Sequence, residues 1–542
     1  MPTLYIDPTH RIDIFEDRFE IYSGPWRLFS FFVNSPTDTA DKKELNEAVR
    51  LVTADTNKAV WISESEVWSK KEYTLEIKDN AALFSVKLFG KGNPEQIDFF
   101  RGDLNGNGSR FEVAGYTVFN SQDNDAFGAK RLMKSDGGTL TTMRAAPPPF
   151  VFPFWNELND DWTGIGIAAK KGEHNFDKFI CRSPRDEWNI NGCWFELPLL
   201  GYTEVNDEWE SPYIWIGFGS DEIDVAKEYS RWQYDNLGFK KNIPAAQAPD
   251  WWKGPLFCGW GEQCALNNSC EGFRFSRQEV YEDFSKRLDE LGLEPSVIII
   301  DDKWQTSYGT LIPDTQKWPD LRAFAEAEHT KGRHVVLWFK LWDAEGLPVD
   351  ECMVYPDGTL RADPTNPKYI ARLEKAVEHL LSDKEGCCNC DGFKLDFMDM
   401  HPRKSGTKIY EKGVFGLELQ KRLFSAVYSI AKSVKPDALI NMSSAHPYFA
   451  ENCDQFRVHD FDPNLRIPLS ILKFRSKFAT AAMPDVLVDT DAGCGETKQH
   501  TLKYYTECSR YGVPCLYRFD SDFDESDWTA VRKAWQKYKE KI

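Results

Sequence analysis

The 542-residue chain has no apolar run approaching the roughly 18 residues that span a bilayer. Its opening stretch, MPTLYIDPTHRIDIFEDRFE, lacks the basic segment and apolar stretch of an export signal. A cytoplasmic location is therefore expected, with a secreted or periplasmic one open if a leader has been removed. Positive charge is also scarce: 66 Lys and Arg against 85 Asp and Glu leave a formal charge of −19. That balance argues against nucleic acid and anionic membranes as partners, since both are polyanions. The thirteen cysteines are odd in number and irregular in spacing, so they do not read as a disulfide framework. Neither a glycine-rich phosphate loop nor a nucleophile elbow is present, and the chain has no internal repeat or low-complexity tract.

What is present is a long chain of ordinary globular composition, 42% hydrophobic and 28% charged. Its length exceeds what one core usually supports, so two domains are expected, with three open. Aromatic residues are plentiful, with 37 Phe, 20 Tyr and 19 Trp. Their faces suit the apolar faces of sugar rings, although most of them belong to cores.

Residues 1–245 read as β-rich. Short alternating runs, among them 73–78, 83–89, 111–118 and 213–218, are separated by Gly, Asn, Asp and Pro clusters, the pattern of a β-sandwich. One long helix is expected from Glu222. The Pro-containing stretch 242–252 reads as a linker. A loop at Asp103, Asn105, Asn107 and Gly108 has the start of a calcium-loop pattern. Its twelfth position is Ala114 where Glu is needed, so an Asn/Gly hairpin turn is the better reading.

Residues 246–542 alternate strand and helix. Eight apolar strand candidates begin at Leu256, Val297, His334, Gly392, Ala438, Gln455, Val486 and Val513, which fits a (β/α)8 barrel. In such barrels chemistry gathers at the C-terminal strand ends. Asp301 and Asp302 end the second strand, Asp396 ends the fourth, Asp460 and Asp462 follow the sixth, and Asp489 and Asp491 belong to the seventh. Carboxylates at four of eight strand ends are expected to converge on one cleft.

Paired carboxylates with aromatic walls suit glycoside cleavage, in which one acid protonates the leaving oxygen and another attacks or stabilises the anomeric carbon. A carboxylate cluster could instead hold Mg2+. Lys394, two residues before Asp396 and so on the same strand face, competes with a metal for that charge. Taken alone, Lys394-Leu395-Asp396 reads better as a structural ion pair than as chemistry.

The segment Ile300-Asp301-Asp302-Lys303-Trp304, then Lys317-Trp318-Pro319-Asp320, His329-Thr330-Lys331-Gly332 and Lys394-Leu395-Asp396 resembles the α-galactosidase clan, glycoside hydrolase families 27 and 36. The resemblance covers most of the barrel, and a leading β-sandwich is a feature of family 36. It implies a retaining α-glycosidase that needs no cofactor and no metal, with an oligosaccharide or glycoside as partner and self-association left open. It makes Asp396 the nucleophile and Asp460 the acid/base, with Asp462 in reserve. Lys394 would lower the pKa of Asp396 and bind a substrate hydroxyl. Asp301 and Asp302 would accept hydroxyl hydrogen bonds, Trp260, Trp304 and Trp338 would wall the subsite, and Arg457 would precede the acid/base.

The pattern also departs from the clan. Lys303 stands where a small residue is usual, and Lys340 adds a second lysine near the mouth. Either they pair with nearby acids or they favour a substituted or acidic sugar. Transglycosylation and non-catalytic carbohydrate binding are the competing functions. Cys387, Cys388 and Cys390 are expected to be plain thiols rather than a zinc clip. His401, His446 and His459 are expected to make hydrogen bonds near the cleft.

Overall fold

The computed structural model describes residues 2–44, 48–102, 108–112, 115–120, 128–133, 138–143, 149–183, 192–266, 271–398, 405–458, 468–491 and 497–542. The calcium-like positions 103–107 lie outside them, as do His401, His459, Asp460 and Asp462. The chain forms two compact units. One contains Met1–Phe239 and also counts Lys412–Leu419, and the other contains most of the remainder.

The first unit is a β-sandwich of antiparallel sheets. Its largest sheet runs from Gly128–Met133 through Asp161–Ala168, Tyr213–Gly219 and Ala81–Phe89 to Val49–Ala54. The strand Lys70–Lys78 shows the sequence logic. Tyr73 and Leu75 are fully buried while their neighbours are less so, because successive side chains leave opposite faces of the pleat. Much of the aromatic wealth is spent here. Phe19 packs on Phe84 at 6.1 Å between ring centres, and Phe31 on Phe195 at 6.2 Å, tying three sheets together. The expected helix is Glu222–Leu237. It begins at Asp221, whose carboxylate accepts the Ile223 and Asp224 amides, and ends at Gly238 with φ 64°. Lys412–Leu419 docks on this unit through backbone bonds from Leu417 to Phe176 (2.9 Å) and Glu418 to His174 (2.9 Å). Phe415 stacks on Tyr202 with ring centres 4.5 Å apart.

The second unit is a (β/α)8 barrel. All eight strands form where the apolar runs placed them: Leu256–Cys258, Val297–Ile300, His334–Lys340, Gly392–Asp396, Leu439–Met442, Gln455–Arg457, Leu487–Asp489 and Cys515–Leu516. Neighbours pair in parallel, the eighth with the first. A parallel bridge from Asp489 to Val513 closes the circle. These strands read as unbroken apolar runs because both faces are covered; all four residues of Val297–Ile300 are buried. Leu256, Val297, Ile299, Val336, Leu439 and Leu487 share one core cluster. Gly392, which opens the fourth strand, has φ 149°. A Cβ there would lie 2.1 Å from the Leu439 carbonyl oxygen of the fifth strand, so only glycine lets the two strands pair.

The stretch read as a linker is structured. It contains the short helix Asp250–Lys253, and Trp252 is buried in the barrel core, its Nε1 donating to the Asp437 carbonyl at 2.9 Å. Burial of one large indole outweighs the turn-forming residues around it.

Candidate active site

The strand ends bring together a chain of alternating charges. At the second strand, Asp301 is buried and its Oδ2 accepts the Lys394 ammonium at 2.7 Å and the Cys258 thiol at 3.1 Å. Lys394 also donates to the Tyr517 hydroxyl at 3.2 Å, and Tyr517 in turn donates to Asp491. Asp491 accepts Arg457 Nη1 at 3.0 Å, while Nη2 of the same guanidinium reaches Asp396 Oδ1 at 3.0 Å. Asp396 further accepts the Trp338 indole N–H at 3.0 Å and the Phe397 amide at 2.9 Å. Phe397 reaches that position with φ 53°, a left-handed conformation that turns its N–H back onto the carboxylate.

Side-chain exposure separates the members of this chain. Asp301 and Lys394 are 4% and 3% exposed, Arg457 and Asp491 are 0%, and Asp396 is 20%. One carboxylate of the network is thus open to a ligand, and the others support it from beneath. Burial opposes the charge on Lys394, but the Asp301 carboxylate overrides it and holds the ammonium well above its ordinary pKa.

This geometry corrects the part assigned to Lys394. Residues two apart do share a strand face, yet the ammonium bonds Asp301 across the barrel, and Arg457 pairs with Asp396. Strand periodicity gives a direction, whereas the partner is set by which neighbouring strand comes within reach. The tryptophan assignments need correction too. Trp304 has no exposed surface; its Nε1 donates to the Trp338 carbonyl at 2.8 Å, so it braces the wall instead of forming it. Trp338 is 2% exposed and contributes its indole N–H more than its face. Trp260 begins the short helix Trp260–Ala265 and is partly buried against the barrel core. The exposed aromatic beside Asp396 is Phe397, at 45%, set edge-on to Trp338.

Asp302 lies beside this chain of charges. It accepts the Tyr308 hydroxyl at 2.7 Å, and burial pushes its pKa up to about 6. The Asp301 charge adds to that rise, while the Tyr308 bond and the nearby Lys340 and Lys303 oppose it. Both lysines have acid partners, Lys340 with Asp343 at 2.9 Å and Lys303 with Glu345 at 2.5 Å. Their ammoniums lie 4.3 and 3.8 Å from the centre of the Tyr308 ring. Of the two readings of these lysines, pairing with local acids is what the structure contains.

Asp489 and Asp491 at the seventh strand are fully buried, so they meet the cleft only through other groups. Asp489 accepts the Asn441 amide at 2.8 Å and the Asp491 backbone N–H at 2.8 Å; burial and the Asp491 charge raise its pKa to about 6. His446 is buried, and burial lowers its pKa to about 3. Its Nδ1 accepts the Tyr448 amide at 3.1 Å, the hydrogen-bonding part expected of it. Cys388 lies 3.6 Å from His379 Nε2, and the described cysteines, Cys387 and Cys390 among them, are free thiols.

Asp491 was placed at the cleft by its strand-end position but given no role, and Tyr517 and Tyr308 were not singled out from sequence. Tyr517 ends the eighth strand run, so strand-end position was an available signal for it too. Tyr308 lies in a loop pinned by the Gln305–Pro313 bridge, and nothing in its sequence context marks it.

No family model matches the sequence, and no curated protein matches it. Solved structures do. A GH31 family sulfoquinovosidase from E. rectale aligns with TM-score 0.62 and 11% identity over 97% of this chain and 82% of its own. A GH36 α-galactosidase, AgaA from Geobacillus stearothermophilus, in complex with raffinose, aligns with TM-score 0.57 and 10% identity over 94% and 75%. The cycloalternan-forming enzyme from Listeria monocytogenes aligns with TM-score 0.54 and 14% identity over 98% of this chain, which spans 52% of that enzyme. Among the described residues no helix is long and apolar enough to cross a membrane. The β-sandwich followed by an eight-stranded parallel barrel is thus the fold of the α-galactosidase-like glycoside hydrolases.

Proposed function

We propose that the protein is a retaining α-glycosidase that cleaves terminal α-linked sugars by double displacement. The observation that carries this reading is the exposure of Asp396, the open member of a buried charge network that grips it with Arg457, Trp338 and Phe397. These three donors hold the carboxylate in place and favour its ionised form, since all three donate to it. They also stabilise it as the leaving group when the covalent intermediate breaks down.

In the first step an Asp396 oxygen attacks the anomeric carbon while Asp460 gives a proton to the departing glycosidic oxygen. In the second, Asp460 takes a proton from water, water attacks the same carbon, and the bond to Asp396 breaks. Asp302 accepts a sugar hydroxyl, and Phe397 offers the exposed aromatic face. Lys394 acts on Asp301 and fixes its carboxylate. The carboxyls of Asp396 and Asp460 are expected about 5–5.5 Å apart, the spacing of retaining enzymes.

The test is turnover on a panel of aryl α- and β-glycosides, including galactosides, N-acetylgalactosaminides, glucosides and uronides. Asp396→Asn should lower kcat by at least about a thousandfold on any substrate that turns over. Near-wild-type turnover in that variant sinks the nucleophile assignment. Asp460→Asn should lose much less on activated aryl leaving groups than on poor ones, and equal losses would move the acid/base role elsewhere.

A further inference from the structure

The opposite, N-terminal end of the barrel carries a second polar cluster that the proposed chemistry does not use. His329 lies in the last turn of helix Leu321–Thr330, His334 opens the third strand, and Asp391 directly precedes the fourth. One ligand atom from each falls within 4.8 Å of the others. Among the described residues this is the group of His, Cys, Asp and Glu side chains with that geometry. The three line an open cavity of about 450 Å3, so an ion has a way in.

Two details point to a cation. His329 Nε2 and Asp391 Oδ2 share a hydrogen bond at 2.7 Å. His334 Nδ1, by contrast, is shut off from solvent and has no hydrogen-bond partner, and it lies 3.6 Å from Asp391 Oδ1. A buried ring nitrogen facing a carboxylate oxygen across 3.6 Å leaves a gap that an ion bound to both would bridge. The surroundings fix the donors. The His334 ring stacks on Trp251 at 4.0 Å between centres, and Asp391 is held by the Val335 amide at 2.7 Å and the Lys435 ammonium at 3.0 Å.

We propose that His329, His334 and Asp391 form a structural site for Zn2+ or another late first-row divalent ion. The nitrogen donors favour Zn2+, Co2+ or Ni2+ over Mg2+ or Ca2+, which take oxygen ligands. Two imidazoles and a carboxylate supply three bonds of about 2.0–2.2 Å, and water supplies the fourth. On binding, the proton shared by His329 Nε2 and Asp391 leaves to solvent or moves to the other ring nitrogen, and the metal takes its place. Lys435 repels the ion and limits its affinity. The site joins the helix Leu321–Thr330, the third strand and the start of the fourth on the face of the barrel where residues serve stability, and it is independent of the glycosidase reading.

The experiment uses the full chain, stripped with chelator and titrated with Zn2+ by calorimetry, then with Co2+ by visible absorption. One equivalent of Zn2+ should bind, with a Co2+ spectrum lacking thiolate charge transfer. Mg2+ should not compete. His334→Phe, which keeps the ring on Trp251, and His329→Ala should each weaken Zn2+ binding at least about tenfold. Cys388→Ser should bind like the wild type, with circular dichroism confirming the fold of each variant. Absence of stoichiometric binding, unchanged affinity in either histidine variant, or loss in Cys388→Ser overturns the assignment.

Discussion

Replacing Arg457 by methionine keeps much of the side-chain volume and removes one charge from the centre of the network. Its contacts to Asp396 and to Asp491 are each 3.0 Å long, and the guanidinium and Asp491 have no exposed surface while Asp396 is partly open. At that distance the gross attraction is about 5 kcal/mol per contact for an effective dielectric of 20. Desolvation consumes most of it, so the measurable quantity is the cost of leaving a buried carboxylate without its cation, about 3–5 kcal/mol. Asp491 bears that cost, keeping the Tyr517 hydrogen bond but facing the nearby Asp489. For a unit of this size such a loss lowers Tm by about 6–10 °C. The refinement is the double variant Arg457→Met with Asp491→Asn. Asparagine removes the stranded charge, so the double variant should be more stable than Arg457→Met alone, with a coupling of about 1–3 kcal/mol. Thermal and urea unfolding at pH 7, followed by circular dichroism, measure all four corners of the cycle. If the double variant is as unstable as the sum of the singles, the charge network does not stabilise the site as argued.

Three other outcomes follow from the structure. Because burial raises the Asp302 pKa to about 6, its carboxylate is ionised, and a full acceptor for sugar hydroxyls, only above that pH. The kcat/KM profile should rise through about pH 6, and the limb should vanish in Asp302→Asn; a limb that persists there assigns the ionisation elsewhere. The same shift has the opposite sign for stability, since folding favours the protonated form, so this group's contribution declines as pH rises from about 4 to 6. Gly392→Ala should abolish soluble expression or cost several kcal/mol in urea unfolding, because its Cβ would lie 2.1 Å from a carbonyl oxygen of the next strand. A well-folded Gly392→Ala protein would show that the two strands can separate without penalty.

Much of the architecture was legible in the residues. The eight barrel strands could be read because parallel strands covered on both faces leave unbroken apolar runs such as Val297–Ile300. The sandwich could be read because half-covered strands such as Lys70–Lys78 alternate. Strand-end position likewise picked out Asp301, Asp302, Asp396 and Asp491 as neighbours of one cleft. What local sequence could not supply was the partner of each charge. Lys394 and Asp396 are two residues apart, yet they answer to Asp301 and Arg457, which lie 93 and 61 positions away along the chain. The reach of a side chain across a closed barrel depends on strand order and register, and no pattern within one strand encodes either. Burial was hidden for the same reason. Trp304 and Trp338 read as walls because they are large and aromatic, and only the packing of the second strand's loop against the third shows that one braces the other. The sequence by itself placed the acidic residues at the strand ends; the tertiary structure decided that, within the network of Asp301, Lys394, Tyr517, Asp491, Arg457 and Asp396, it is Asp396 that stays open, because the others pair with one another beneath it.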